Sequence, residues 1–414
     1  MRLVIAAQDE IFGDDKFWGA NFRRWYTSHA PFNTLDAVVG NPSPVFQTWL
    51  AHPALDEYWD SFSPTAAQYA KIDLPILSLT GQYDGDQPGA MAFYREHLQY
   101  ASEAAKAKHF LVIGPWDHPG TRMPRAEFGG LKFGPDSVLD MNALHKAWYD
   151  WTLKGAGKPE FLKDRVAFYV AGEEAWRYAP SLEKVTARTQ VWHLDSNDSQ
   201  ANDVFGSGTL LDRRPGSGKP DSYVYDPLDT SSLAVEDLPD AAGGWVDQRA
   251  ILLAAGKHLV YHSPPLPTDI DIAGFFRLTA WIELDQADTD FSVGLYEIRP
   301  DGTSIAISGD QKRARYRKNL RKAETIEPGK VERYDFDSFD FVARRLARGS
   351  RLRLVIGPVN SMYSEKNYNT GGVVSAESGG NAKPVRVKLH HDTRYPSSLV
   401  IPIAAKSTVA TKGS

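Results

Sequence analysis

The sequence predicts a mixed fold, α/β followed by all-β, and three observations carry that prediction. Two short, nearly continuous apolar runs, Pro75–Leu79 and His109–Ile113, flank a segment whose apolar residues recur at helical spacing. That is the texture of parallel strands covered on both faces, with a helix crossing between them. From about residue 185 the apolar period changes to two and turn residues separate the runs, as in a β-sandwich. A chain of 414 residues, 42% apolar and 24% charged, is long enough for two or three separate cores.

Residues 1–70 open with Arg2-Leu3-Val4-Ile5-Ala6-Ala7, read as a sheet strand entered abruptly. They then become rich in aromatics and acids, as in Phe12-Gly13-Asp14-Asp15-Lys16-Phe17-Trp18 and His52-Pro53-Ala54-Leu55-Asp56-Glu57-Tyr58-Trp59. Pro42, Pro44, Pro53 and Pro64 divide this stretch into short helices and loops. Residues 71–180 alternate strand and helix. Met91, Tyr94, Leu98 and Ala101 mark the helix between the two apolar runs. A second helix is predicted to start at Ser137 and Asp140 in a capping-box-like pattern. It continues through an apolar face of Val138, Met141, Leu144, Trp148 and Trp151, and stops at Gly155. In residues 185–405, Leu278, Ala280, Ile282 and Leu284 alternate with largely polar neighbours. Phe291, Val293 and Leu295, then Leu352, Leu354 and Ile356, then Val385, Val387 and Leu389 repeat the pattern, so a β-sandwich of jelly-roll type is expected.

Composition removes several function classes. A formal net charge of −5 and a pI near 6.1 leave no basic excess to offset phosphate, so nucleic acid is not the expected partner. The one basic cluster, Lys312-Arg313-Ala314-Arg315-Tyr316-Arg317-Lys318, lies among acidic segments and reads as a salt-bridged strand. The absence of cysteine excludes disulfides, thiol catalysis and cysteine-ligated metal. No apolar run approaches the ~20 residues of a membrane-spanning helix. Pro215-Gly216-Ser217-Gly218-Lys219-Pro220 has the wrong spacing for a phosphate loop. Adjacent His390 and His391 point to opposite faces of a strand, which disqualifies His390-His391-Asp392 as a metal site. Neither metal nor organic cofactor is implied.

What carries chemistry is a pair of strand-end motifs, Gly81-Gln82-Tyr83-Asp84-Gly85-Asp86 and Gly114-Pro115-Trp116-Asp117-His118-Pro119-Gly120. A sheet fixes the positions of Asp84 and His118, while the loop after each strand leaves them reachable. The carboxylate would orient the imidazole, and the imidazole would take a nucleophile's proton. An acid and then a histidine at successive strand ends is the order Ser…Asp…His of a serine hydrolase triad. No G-x-S-x-G elbow precedes them; the nearest string, Gly302-Thr303-Ser304-Ile305-Ala306, follows His118 and sits at a hairpin turn.

These motifs resemble those of the cocaine esterase / X-Pro dipeptidyl-peptidase family of serine hydrolases (CocE/NonD type). The resemblance continues through Leu144-His145-Lys146-Ala147-Trp148-Tyr149-Asp150, Gly172-Glu173-Glu174-Ala175-Trp176-Arg177 and Tyr261-His262-Ser263-Pro264-Pro265-Leu266. It extends to Asp288-Thr289-Asp290-Phe291, Arg313-Ala314-Arg315-Tyr316-Arg317, Asn369-Thr370-Gly371 and His390-His391-Asp392. It implies the C-terminal part of an α/β-hydrolase domain with a helical cap, followed by a jelly-roll β-sandwich. Carried over residue by residue, it implies Asp84 as triad acid, His118 as triad base and a packing role for Trp116. The family's G-x-S-Y-x-G nucleophile motif and oxyanion-hole tyrosine have no counterpart. By the resemblance Met1 falls roughly 20 residues past the elbow, so the chain is expected to be N-terminally truncated or split.

The resemblance is closest to the α-amino-acid ester hydrolase branch, where three carboxylates beside the triad recognise an α-ammonium group. Asp15 and Asp86 match two of these, and Gln87 stands neutral at the third. Paired carboxylates in a partly buried pocket favour a cation; the alternative is that Asp15 caps a helix and Asp86 faces solvent. The expected function is hydrolysis of ester or amide bonds of small, α-amino acyl substrates through an acyl-enzyme. The alternatives are X-Pro dipeptidyl-peptidase activity, or a catalytically silent chain that acts as a partner subunit or a binding jelly roll. A homo-oligomer, or assembly with a complementing N-terminal fragment, is the partner expected besides a small-molecule substrate.

Overall fold

The computed structural model describes residues 2–6, 9–196, 200–236 and 244–405. The first 70 residues form seven short helices: α1 (Arg2–Ile5), α2 (Asp9–Phe12), α3 (Asp15–Ser28), α4 (Leu35–Val39), α5 (Pro44–Ala51), α6 (Glu57–Asp60) and α7 (Ala66–Tyr69). The starts of α3, α5, α6 and α7 are set by side chains that satisfy orphan backbone N–H groups. Asp14 accepts from Phe17 N, Ser43 accepts from Phe46 N, and Thr65 with Gln68 forms a capping box. Trp18, Phe22, Trp25, Tyr26, Phe32, Leu35 and Phe46 form one aromatic core, which Met362 from the distant β-domain completes.

The strand expected at residues 1–7 is instead helical, at Arg2–Ile5. Three apolar residues, Leu3, Val4 and Ile5, do not separate a strand from a buried helical turn, and here the tertiary partners decide. The Val4 carbonyl accepts from Ser43 Oγ at 2.5 Å and the Ile5 carbonyl accepts from Asn41 Nδ2. Ile5 is fully buried in the aromatic core.

A four-stranded sheet follows, in the order β1 (Ile76–Gly81), β2 (His109–Gly114), β5 (Val166–Val170), β6 (Ala175–Ala179), with β3 (Glu127–Phe128) and β4 (Leu131–Lys132) making a small separate hairpin. β1, β2 and β5 are parallel and β6 returns antiparallel. Helices α8 (Gln87–Tyr100) and α9 (Glu103–Lys106) connect β1 to β2, and α10 (Met141–Lys154) precedes β5. Every residue of β2 is buried, as its unbroken apolar run requires. Helix α10 starts one turn later than its sequence pattern suggests. Asp140 caps it by accepting from Ala143 N, whereas Ser137 lies in a preceding 3-10 turn and Val138 is exposed. Gly155 ends it in the left-handed conformation, φ 73°.

Beneath β1 and α8 two imidazoles are buried in series. Neutral tautomers satisfy all their bonds. Ser78 Oγ donates to His109 Nε2 (2.9 Å), His109 Nδ1 donates to His97 Nδ1 (3.0 Å), and His97 Nε2 donates to the Ile72 carbonyl (3.4 Å). Burial, with His97 alongside, pushes the pKa of His109 from 6.5 down to about 3. Between those values the unfolded chain binds a proton that the folded chain does not, so stability falls as pH falls. The expected slope is about 1.4 kcal/mol per pH unit from this residue. Urea unfolding at pH 7 and pH 5 should therefore differ more in the wild type than in His109→Gln. Equal pH dependence in the two would contradict this reading.

The β-domain is a thirteen-stranded network folded into a sandwich. Its strands are β7 (Thr186–Asp195), β8 (Gly208–Leu211), β9 (Asp221–Tyr225), β10 (Leu259–His262), β11 (Ile270–Gly274), β12 (Arg277–Leu284), β13 (Asp290–Ile298), β14 (Ser304–Arg313), β15 (Val331–Phe336), β16 (Val342–Leu346), β17 (Arg351–Pro358), β18 (Val385–His390) and β19 (Ser398–Ala404). Two short helices, α11 (Leu233–Glu236) and α12 (Arg249–Leu253), lie between β9 and β10. The inward residues are those picked out by the two-residue period: Leu278, Ala280, Ile282 and Leu284 on β12, and Phe291, Val293 and Leu295 on β13. The basic cluster at the end of β14 is salt-bridged. Arg313 binds Asp290 and Glu365, both at 2.8 Å, and Arg315 binds Asp288 at 2.7 Å. The acids of Asp288-Thr289-Asp290 thus answer the bases of Arg313-Ala314-Arg315 within the sandwich.

The two sheets meet along β16. Ala171 N donates to Ala343 O (3.1 Å) and Arg345 N donates to Ala171 O (2.8 Å). Two glutamine side chains extend this backbone pairing. Gln82 accepts from Ala343 N at 2.8 Å and donates to Tyr169 O at 2.6 Å. Gln87 accepts from Phe341 N at 2.5 Å and donates to Gly81 O at 3.0 Å. An amide carries one donor group and one acceptor, as a peptide does, so both ends of each contact are satisfied.

Candidate active site

The strands set the geometry of the site. Gly81 and Gly114 are register partners at the ends of β1 and β2, so both loops leave the sheet at the same level. Both positions need glycine for space. A Cβ on Gly81 would meet the Trp116 carbonyl at 2.0 Å, and one on Gly114 would meet the Trp116 ring at 2.3 Å. Trp116 is fully buried beneath the loops, and its indole N–H donates to Ser137 O at 2.8 Å. Tyr83 N donates to Trp116 O at 3.0 Å, tying one loop to the other.

Asp84 and His118 meet across this gap. Asp84 Oδ1 accepts from His118 Nδ1 at 3.1 Å and from the Asp86 backbone N–H at 3.0 Å. The Asp84 side chain is only 5% exposed and that of His118 is 49% exposed. A buried acid holding a half-exposed imidazole by Nδ1 fixes the tautomer whose lone pair is on Nε2. Among the described residues, no hydrogen bond engages that Nε2. The imidazole backbone is held by the Pro119–Thr121 turn, where Thr121 Oγ1 donates to His118 O at 2.7 Å.

The other expected site residues separate. Asp86 Oδ2 lies 3.2 Å from His118 Nδ1, on a side chain 78% exposed. It is therefore part of the cluster and open to solvent. Asp15 is ion-paired with Arg2 at 2.5 Å, and no bond joins it to Asp84, Asp86 or His118 among the described residues. The cap of α3 is Asp14, one residue earlier. Gln87, at the third position of the expected ammonium site, is instead buried between the two sheets. His52, Tyr58 and Trp59 pack on one another: the His52 and Tyr58 rings stack at 4.3 Å, and Trp59 donates to His52 O at 2.8 Å.

Two features had no sequence signal. Tyr83, beside Asp84, is walled by Phe128 and by Trp245 of the β-domain, at ring distances of 5.7 and 4.9 Å. Arg344 of β16 is buried near Tyr83, binding Glu297 at 2.6 Å, and Glu297 also accepts from Ser350 Oγ at 2.9 Å. Both depend on residues over 100 positions apart coming together. As possible metal ligands, Asp84, Asp86 and His118 offer three donor atoms within 4.8 Å of one another.

This architecture and site define a class. Residues 7–120 match the X-Pro dipeptidyl-peptidase (S15 family), and residues 157–400 match the X-Pro dipeptidyl-peptidase C-terminal non-catalytic domain. The chain belongs to the X-Pro dipeptidyl-peptidase family. It is 28% identical over 363 residues to a cocaine esterase from Rhodococcus sp. (strain MB1 Bresler), covering 85% of this chain and 60% of that protein. Two solved structures share the fold. One is an aminopeptidase from a marine sediment archaeon, Thaumarchaeota archaeon, with TM-score 0.79, 21% identity, 92% of this chain covered and 63% of that one. The other is an α-amino acid ester hydrolase, with TM-score 0.78, 18% identity, and 92% and 64% covered. The chain thus spans about three fifths of the length of these relatives.

Proposed function

We propose that this chain supplies the acid and base of a serine hydrolase that cleaves ester or amide bonds of small acyl substrates, α-amino acyl ones foremost. The observation that carries the reading is the Asp84 Oδ1 to His118 Nδ1 bond at the ends of adjacent parallel strands. The nucleophile is a serine from outside these 414 residues, because no G-x-S-x-G string occurs in them. Its hydroxyl proton passes to His118 Nε2 as Oγ attacks the acyl carbon. The proton then passes to the leaving group as the acyl-enzyme forms, and water repeats the sequence to release the acid. Asp84 keeps Nδ1 protonated throughout and offsets the charge on the imidazolium.

The preference for an α-ammonium rests on Asp86, an exposed carboxylate beside His118, since Asp15 is engaged by Arg2. Phenylglycine methyl ester should be turned over faster than methyl phenylacetate by roughly twofold to fivefold, the size of one exposed charge contact. Asp86→Asn should remove that preference without abolishing turnover. Treatment with EDTA should leave the rate unchanged. EDTA inactivation reversed by a divalent metal would mean that Asp84, Asp86 and His118 act as metal ligands, and would overturn the reading.

A further inference from the structure

Resting on the assignment of Asp84 and His118 as acid and base, we infer that Gln82 and Gln87 are positioning residues through which the β-domain sets the place of the catalytic acid. The β-domain lies within the stretch 157–400, which matches a family domain described as non-catalytic. Among the described residues, none of its groups is hydrogen-bonded to Asp84 or His118. Its grip is on the chain to either side of Asp84.

Strand β16 pairs with β11 along one edge. Along the other, the backbone N–H groups of Phe341, Ala343 and Arg345, at every second residue, turn toward the α/β domain. Each finds an acceptor there: Gln87 Oε1 at 2.5 Å, Gln82 Oε1 at 2.8 Å and Ala171 O at 2.8 Å. Two of these three acceptors are side chains of the segment Gly81–Gln87, which carries Asp84 midway. An edge that would otherwise present open donors is closed largely by the acid's own loop.

The other ends of the two amides complete the clamp. Gln82 Nε2 donates to Tyr169 O of β5 at 2.6 Å, so this side chain spans from β16 to the sheet that carries the site. Gln87 Nε2 donates to Gly81 O at 3.0 Å, which closes the segment on itself, and lies 3.3 Å from Phe341 O. Both side chains are buried, so water cannot take over these bonds. Between them Tyr83 packs on Trp245 of the β-domain, at a ring distance of 4.9 Å. The bond from the Asp86 N–H to Asp84 Oδ1 lies inside the closed segment. A shift of the segment therefore carries Oδ1 away from His118 Nδ1, and a misplacement of about 1 Å at such a contact costs about a hundredfold in rate.

Arg345 supplies the control. Its side chain joins the same two domains through Asp271 at 2.7 Å and Glu173 at 3.3 Å, and neither partner belongs to the segment 81–87.

Gln82→Met and Gln87→Met keep the length of the side chain and remove both bonds of each amide, whereas Arg345→Met cuts an interdomain contact clear of the acid. In the chain as it stands, ring 15N–1H correlation spectra of neutral His118 should place the proton on Nδ1 in the wild type and in Arg345→Met. Both glutamine variants should show a mixture of tautomers. In a form extended upstream to carry the serine, each glutamine variant should lose roughly tenfold to a hundredfold in kcat with KM changed by less than about twofold. Arg345→Met should keep the wild-type kcat. Amide hydrogen exchange on the unaltered chain is a check that needs no variant to fold: Phe341 and Ala343 should exchange as slowly as Arg345. Fast exchange at Phe341 and Ala343 would overturn the proposal. So would glutamine variants that keep both the His118 tautomer and the kcat of Arg345→Met. A tautomer shift in the glutamine variants, together with an extended wild type that hydrolyses nothing, would uphold the clamp and sink the serine hydrolase reading, so the two failures are told apart.

Discussion

His118→Ala lowers ester turnover by about a thousandfold or more, measured as kcat/KM in an assembly that presents the serine. The size follows from the geometry. Nε2 is the lone pair that takes the serine proton, and no other described group with a free basic nitrogen is bonded to Asp84. Asp84→Asn should cost nearly as much while leaving KM close to its wild-type value. The asparagine can present its NH2 group to Nδ1, favouring the tautomer with the proton on the wrong nitrogen. Asp86→Asn is the internal control. Both carboxylates lie near 3 Å from the same Nδ1, but Asp84 is 5% exposed and Asp86 is 78% exposed. Only the buried one is held rigidly, by the Asp86 N–H and the turn it closes. An Asp86→Asn loss as large as that of Asp84→Asn would mean the two acids have been assigned in the wrong order.

The second large effect is on stability. Arg344→Met should destabilise the chain by about 3 kcal/mol in urea unfolding, because it leaves the buried Glu297 carboxylate with only the half-exposed Arg299, 3.9 Å away, as counter-charge. Arg344 and Glu297 side chains are 4% and 1% exposed, so water cannot take over the arginine's role. Arg344→Met combined with Glu297→Leu should recover much of the loss, since replacing both partners removes the stranded charge. If the double variant were no more stable than the single, the cost would lie in packing and the pair would not be the cause. The effect should also reach the site. Arg344 lies against Tyr83, and the Tyr83 backbone ties the loop that carries Asp84 to the one that carries His118.

The contrast between Asp84 and Arg344 shows what was legible in the sequence. Asp84 and His118 were readable because each ends a short apolar run, and strands of that kind are built to stand side by side. The even positions of β12 were readable because a pleated strand alternates faces whatever it packs on. The strand expected over Arg2–Ile5 is a helical turn because three apolar residues fit either equally, and only Asn41 and Ser43, some 40 residues away in the chain, settle the matter. Gln87 was aligned with a substrate-binding position. It is instead a surrogate peptide group joining the two sheets, a role visible only once Phe341 of the β-domain is seen beside it. Arg344 and Trp245 gave no signal because a buried arginine and a lone tryptophan look the same in sequence as exposed ones.

The measurement that bears most directly on the acid–base assignment is labelling with a fluorophosphonate serine-hydrolase probe. The chain is tested alone and in a form extended upstream to carry a G-x-S-Y-x-G elbow, each with and without His118→Ala. The expected result is no labelling of the chain alone, labelling of one serine in the extended form, and loss of that label in His118→Ala. Labelling of the chain alone, or labelling of the extended form that survives His118→Ala, would contradict the assignment of His118 as the base acting on a serine outside these residues.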